Sequence, residues 1–98
     1  MKKISIVVPV YNEQDNLKEF HKRITAIMKD TDYDYNLVFV DDGSKDSSAF
    51  ILKQLVEKDE HVEAYLLSRN YGHQMALTCG LDNADGDAVI TMDGDLQH

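Results

Sequence analysis

Cysteine is nearly missing from this sequence, with Cys79 its one example. No internal disulfide can form, and the apolar helical setting of Cys79 gives no sign of a thiolate nucleophile. That usage fits a reducing compartment, so the expected location is cytoplasmic. Positive charge is also scarce. Ten Lys and Arg stand against 18 Asp and Glu, for a formal charge of −8. Such a chain is poorly suited to gripping nucleic acid or anionic lipid by charge alone, and no nucleic-acid partner is expected. A phosphate ligand would need the help of a metal. Long apolar runs are absent as well. The stretch from Ile4 to Val10 is interrupted by Ser5 and Pro9, too short for a signal peptide or a membrane span. Neither a G-x-x-x-x-G-K-[ST] phosphate loop, nor a G-x-G-x-x-G turn after the first strand, nor a G-x-S-x-G nucleophile elbow occurs. Nucleotide binding, if present, must use another design.

What the sequence does contain is a balance suited to a packed core: 43% hydrophobic and 29% charged residues over 98 positions, one domain or part of a larger one. Short β-branched runs alternate with stretches of helical period, which predicts an α/β fold with a parallel sheet. Ile4–Val8 reads as a first strand buried on both faces. Leu17, Phe20, Ile24, Ile27 and Met28 then mark one face of a helix from about Glu13 to Lys29, with Asn12 as its expected N-cap. Leu37–Val40 is the second strand. A helix over Ser47–Asp59 follows, carrying Ile51, Leu52, Leu55 and Val56. Val62–Leu67 is a third strand, with Glu63 marking a more exposed position. Tyr71–Ala84 is a third helix with Leu77, Leu81 and Ala84 on its buried face, and Ala88–Met92 is the fourth strand. The architecture expected is a Rossmann-like, three-layer arrangement of four strands and three helices. The sequence stops three residues after Asp93-Gly94-Asp95, which reads as the amino-terminal part of a longer domain, with a fourth strand left open to pairing with another copy of the chain.

Open parallel sheets bind ligands beyond the carboxyl ends of their strands, where strand order reverses. Each expected strand ends there in a polar cluster: Tyr11-Asn12-Glu13, Asp41-Asp42, Ser68-Arg69-Asn70, and Asp93-Gly94-Asp95. Solvated strand ends are ordinarily polar, so the weight rests on four clusters converging on one rim. Asp93 and Asp95, one residue apart, are hard oxygen ligands suited to Mg²⁺ or Mn²⁺ shared with substrate phosphates. An isolated D-G-D would be an ordinary turn; its place after a strand argues for the metal. Asp41-Asp42-Gly43-Ser44 resembles a hairpin signal, but the helical period that follows favours a strand-to-helix turn. A carboxylate there can accept hydrogen bonds from a base or a ribose. Arg69 can contact a phosphate or form an ion pair with Asp41 or Asp42. His73 and Gln74 open the third helix, whose N-terminus can face an anion. His21 and His61 read as solvated surface residues, and scattered histidines make no zinc site.

The segments Ile6-Val7-Val8-Pro9-Val10-Tyr11-Asn12-Glu13, Val40-Asp41-Asp42-Gly43-Ser44 and Met92-Asp93-Gly94-Asp95-Leu96-Gln97-His98 together resemble the amino-terminal half of a family 2 glycosyltransferase domain of the GT-A fold. Ser68-Arg69-Asn70-Tyr71-Gly72-His73-Gln74 and the D-x-D-L-Q ending are similar to polyprenyl-phosphate sugar transferases, the group of dolichol-phosphate mannosyltransferases and bactoprenol glucosyltransferases. The resemblance implies an inverting transferase using a UDP- or GDP-sugar. Pro9, Tyr11 and Glu13 would line the base and ribose, Asp41 or Asp42 would bond the nucleoside, and Arg69 would lie near the nucleotide. Asp93 and Asp95, joined by Gln97, would hold the cation. It further implies a sheet with the first strand beside the fourth, and a lipid-phosphate acceptor reached by the full-length protein at the cytoplasmic face of the membrane. The family's acceptor-binding residues and any catalytic base lie beyond this sequence, so the 98 residues alone are expected to be inactive. A soluble or polysaccharide-directed glycosyltransferase is the alternative within the family, and two readings outside it compete. Phosphatases of the haloacid dehalogenase type also carry D-x-D, but after the first strand rather than the fourth. A non-catalytic nucleotide-binding module would not require both acidic clusters to be intact.

Overall fold

The computed structural model describes residues 2–93. Asp95 and Gln97, two of the three expected metal ligands, lie outside the described residues. Among the described residues four strands and three helices alternate: β1 (Lys3–Val10), α1 (Leu17–Lys29), β2 (Asp34–Asp41), α2 (Ser48–Lys58), β3 (Val62–Leu66), α3 (His73–Asn83) and β4 (Ala88–Thr91). The strands form one parallel sheet in the order β3-β2-β1-β4. The chain therefore moves outward from β1 through β2 to β3, then crosses back to pair β4 with the free side of β1. The reversal lies between β1 and β4, where ligands bind in sheets of this kind.

Side chains alternate across a strand, and the two faces of β1 and β2 have different partners. Ile6, Val8 and Val10 of β1 join Leu37 and Phe39 of β2, Leu17, Phe20, Ile24 and Met28 of α1, and Leu52 and Leu55 of α2 in one buried cluster. Phe20 meets Phe39 edge to face, with ring centroids 6.1 Å apart. Burying each such side chain contributes about 1.5–3 kcal/mol. The opposite face, bearing Val7 and Val40, receives α3. A Cβ added at Gly80 would lie 2.3 Å from Val7 Cγ1 and 3.3 Å from Val40 Cγ2, so the helix rests on the sheet at a distance that only glycine allows. Helices thus cover both faces, as expected.

The departures from the sequence reading have local causes. α1 begins at Leu17 rather than Glu13, and Asn12 is not its N-cap: Asn12 adopts a left-handed φ of 52°, and Asn16 occupies the cap position. A turn precedes the helix, in which the N–H groups of Asn16 and Leu17 both donate to the Glu13 carbonyl, at 3.0 and 3.2 Å. β2 starts three residues early because Asp34, Tyr35 and Asn36 continue the register opposite Lys3, Ile4 and Ser5. Ile27 is 60% exposed and Val56 41%, each pointing away from the cluster its helix joins. On α3 the buried residues are Ala76 and Gly80, not Leu81, because the close approach to Val7 admits small residues at the contact.

A polar row crosses the amino-terminal end of the sheet. Ser5 Oγ donates to Asn36 Oδ1 (2.7 Å) and accepts the Gly86 N–H (2.9 Å), while Asn36 Nδ2 donates to Glu63 Oε2 (2.6 Å). Glu63 is thus a partner for the buried Asn36 as well as a partly exposed strand residue. His21 and His61 are not free surface residues either. His21 Nε2 and His61 Nδ1 lie 2.8 and 2.9 Å from the two oxygens of Asp59, and His61 stacks on Tyr35 with ring centroids 4.1 Å apart. Burial pushes the Asp59 carboxyl upward, but the hydrogen bonds from the His61 backbone and the two rings outweigh it and hold the group below the usual range.

Candidate active site

The site is built on loops at the carboxyl-terminal edge of the sheet. The β1–α1 and β2–α2 loops are laced together by hydrogen bonds running in both directions. Asn12 N–H donates to Ser44 Oγ (2.9 Å), and Asn12 Oδ1 accepts the Lys45 N–H (2.9 Å). Glu13 N–H donates to Ser48 Oγ (2.9 Å), Gln14 N–H to Asp46 Oδ2 (3.2 Å), and Gln14 Oε1 accepts the Ser47 N–H (2.9 Å). Asp46 also accepts the Ser48 N–H. Burial raises the Asp46 carboxyl, yet the bonds from Ser48 and the Gln14 backbone prevail and lower it. The left-handed backbone of Asn12 turns the chain so that its amide serves this lattice, a conformation that asparagine tolerates better than most residues.

Asp41 and Asp42 diverge at the end of β2. The Asp41 side chain is buried and accepts a hydrogen bond from Ser44 Oγ. Desolvation raises its pKa, and the bonds from Ser44 oppose that shift only in part. Asp42 turns to the β3–α3 loop, where its two oxygens accept the N–H groups of Tyr71 (2.8 Å) and Gly72 (3.0 Å). Gly43, at φ +71°, brings the two loops into contact: a Cβ there would lie 2.2 Å from the Arg69 carbonyl carbon and 2.4 Å from the Asn70 nitrogen. Arg69 itself extends over the Tyr71 ring, 4.9 Å from its centroid. Among the described residues no ion pair joins it to Asp41 or Asp42.

Two small clefts open side by side at this edge. The first, about 190 Å³, is lined by Pro9, Val10, Tyr11, Asp42, Asn70, His73 and Ala76. The second, about 130 Å³, is lined by Pro9, His73, Leu77, Thr91, Met92 and Asp93. Pro9 and His73 form the wall between them. The acidic tips of β2 and β4 therefore flank β1 on one rim, at the reversal of strand order. Of the expected residues, Pro9, Tyr11, Asp42 and Asp93 line the clefts. Glu13, Asp41 and Arg69 do not: Glu13 lends its backbone to the loop lattice, Asp41 is buried behind the rim, and Arg69 covers Tyr71. Asn70, within the Ser68-Arg69-Asn70 cluster, and Thr91 also line the clefts, though neither stands out individually in the sequence.

Asp93 has no hydrogen-bond partner among the described residues, and a carboxylate left free in a cleft is the kind of hard oxygen donor that Mg²⁺ or Mn²⁺ takes. Among those residues no group of three or more His, Cys, Asp or Glu side chains forms a complete metal site. No helix among them is long and apolar enough to cross a membrane.

Comparison with known proteins bears on the fold and the family. The undecaprenyl-phosphate 4-deoxy-4-formamido-L-arabinose transferase of Pseudomonas fluorescens is 47% identical over 96 residues, which make up 97% of this chain and 28% of the relative. The chain thus spans less than a third of that relative's length. Among solved structures, a mannosyltransferase from Pyrobaculum calidifontis in complex with GDP-Man and Mn²⁺ superposes with a TM-score of 0.83 at 24% identity, over 96% of this chain and 28% of that one. TarS of S. aureus, solved with UDP-GlcNAc, gives a TM-score of 0.77 at 27% identity, over 95% of this chain and 26% of that one. The shared architecture is the GT-A fold. The description "Glycosyl transferase family 2" matches residues 5–98, nearly the whole sequence, and the chain belongs to that family.

Proposed function

We propose that this chain is the donor-binding part of an inverting glycosyltransferase that moves a sugar from a nucleoside-diphosphate donor to a polyprenyl phosphate. The observation that carries the reading is the pair of clefts sharing Pro9 and His73, one bearing Asp42 and the other Asp93, at the reversal of strand order. Pro9, Tyr11 and Asp42 would hold the nucleoside. Asp42 is fixed for that task by the Tyr71 and Gly72 amides, so it meets a ligand already oriented. Glu13, Asp41 and Arg69 would act at one remove, through the loops that present these side chains. Asp93 would hold Mg²⁺ or Mn²⁺ beside the diphosphate, with Asp95 and Gln97, beyond the described residues, as its partners. A divalent cation there supplies positive charge to the departing nucleoside diphosphate. Without it, the Asp93 carboxylate and an anionic donor would repel each other at close range.

The acceptor assignment follows the name of the relative from Pseudomonas fluorescens, an undecaprenyl-phosphate transferase. A lipid phosphate is ionised at neutral pH, so its oxygen needs little help from a general base. The full-length protein would then work at the cytoplasmic face of a membrane. Calorimetry with UDP and GDP, each with and without Mn²⁺, tests the donor reading. Binding that requires Mn²⁺ and is lost in Asp93→Ala and Asp95→Ala supports it; metal-independent binding indifferent to both substitutions refutes it.

A further inference from the structure

Two of the three described histidines are committed, since His21 and His61 both bond Asp59. His73 has no hydrogen-bond or ion-pair partner among the described residues. It is exposed, and it lines both clefts. Among the described residues no Lys or Arg lines either of them. The nearest candidate in sequence, Arg69, is laid over Tyr71 instead. A ligand with its nucleoside in the Asp42 cleft and its phosphates at Asp93 must pass the wall that His73 forms with Pro9. The basic side chain on that wall is thus placed beside the segment of the ligand that carries its negative charge.

We propose that His73 binds the diphosphate of the nucleotide donor, its imidazole N–H donating to a phosphate oxygen between the two clefts. The proposal rests on the nucleotide-sugar reading above and extends it to a residue whose part in the site is contact with phosphate rather than with base or metal. His73 acts alongside the cation, which neutralises the diphosphate from the Asp93 side.

The test compares uridine and guanosine with UDP and GDP, all in the presence of Mn²⁺, by calorimetry on the wild-type chain and on His73→Ala and His73→Lys. Alanine should leave nucleoside affinity unchanged and weaken the diphosphates by roughly tenfold, the order expected of one charge-assisted hydrogen bond partly open to water. Lysine should retain diphosphate affinity near the wild-type value. Three results would overturn the proposal: unchanged diphosphate affinity in His73→Ala, equal losses for nucleosides and diphosphates, or a lysine variant as weak as alanine. In each of these the wild-type chain still binds the diphosphates, so the broader reading stands. Failure of the wild-type chain to bind either diphosphate would overturn both.

Discussion

Replacing Gly43 by alanine probes how the candidate site is held together. Gly43 has φ +71°, and an added Cβ would meet three backbone atoms of Arg69 and Asn70 at 2.2 to 2.7 Å. A left-handed backbone disfavours an L side chain by about 1–2 kcal/mol. The overlap adds about 1–3 kcal/mol, because backbone cannot rotate away as a side chain could. The expected loss is therefore about 2–5 kcal/mol, a large share of the roughly 5–15 kcal/mol that stabilises a typical domain. Gly72 is the control. Its φ is +102°, but nothing lies within 4 Å of an added Cβ, so Gly72→Ala carries only the conformational part, about 1–3 kcal/mol. Urea titration of the three proteins reads the difference as shifts in midpoint at constant slope. Gly43→Ala should be the less stable variant, and should also weaken nucleotide binding as Asp42 separates from the Tyr71 and Gly72 amides. A Gly43→Ala protein within about 0.5 kcal/mol of wild type would show that the two loops are not packed as described.

Two carboxylates should respond to pH in opposite senses. The Asp59 pKa is lowered on folding, so its stabilisation is complete above the ordinary carboxylate range and is lost as pH falls through its folded-state value. Asp59→Asn should therefore destabilise at neutral pH, with the gap to wild type closing in acid. The Asp41 pKa is raised by burial, so its ionised form opposes folding at neutral pH and protonation relieves the penalty. Asp41→Asn, keeping a partner for Ser44, should equal or exceed wild type in stability at pH 7, with any gain fading in acid; thermal melts across pH check both. Among the described residues β4 is an edge strand, with Val89 and Ile90 42% and 47% accessible, and self-association is expected through it. Sedimentation velocity should show a concentration-dependent species that Ile90→Lys removes, and a strictly monomeric wild type at high concentration contradicts it.

Much of this fold can be read along the chain because the strands are short β-branched runs and the helices carry regular apolar spacing. Ile6, Val8, Leu37 and Phe39 are buried where their runs place them. What escapes is set by partners far away in sequence. Asn12 followed by acidic residues looks like a helix cap, yet its backbone N–H donates to Ser44 Oγ and its side-chain oxygen accepts the Lys45 N–H, more than thirty residues on. His21 looks solvated until Asp59 arrives from the next helix. Gly80 lies unmarked inside the expected third helix, and its missing side chain is what lets α3 settle on Val7. The acidic clusters at the strand ends were visible as a set. Their division of labour was not: Asp41 and Asp42 are neighbours of the same chemistry and both are buried, yet Asp41 bonds Ser44 while Asp42 accepts the Tyr71 and Gly72 amides and lines the cleft.

Amide NMR spectra of the chain, titrated with UDP or GDP and then with Mn²⁺, test the central claim most directly. Nucleotide-induced shifts are expected at residues 9–12, 42–44 and 70–74, with paramagnetic broadening centred on residues 92 and 93. Shifts and broadening gathered instead around His21, Asp59 and His61, at the other end of the sheet, would contradict it.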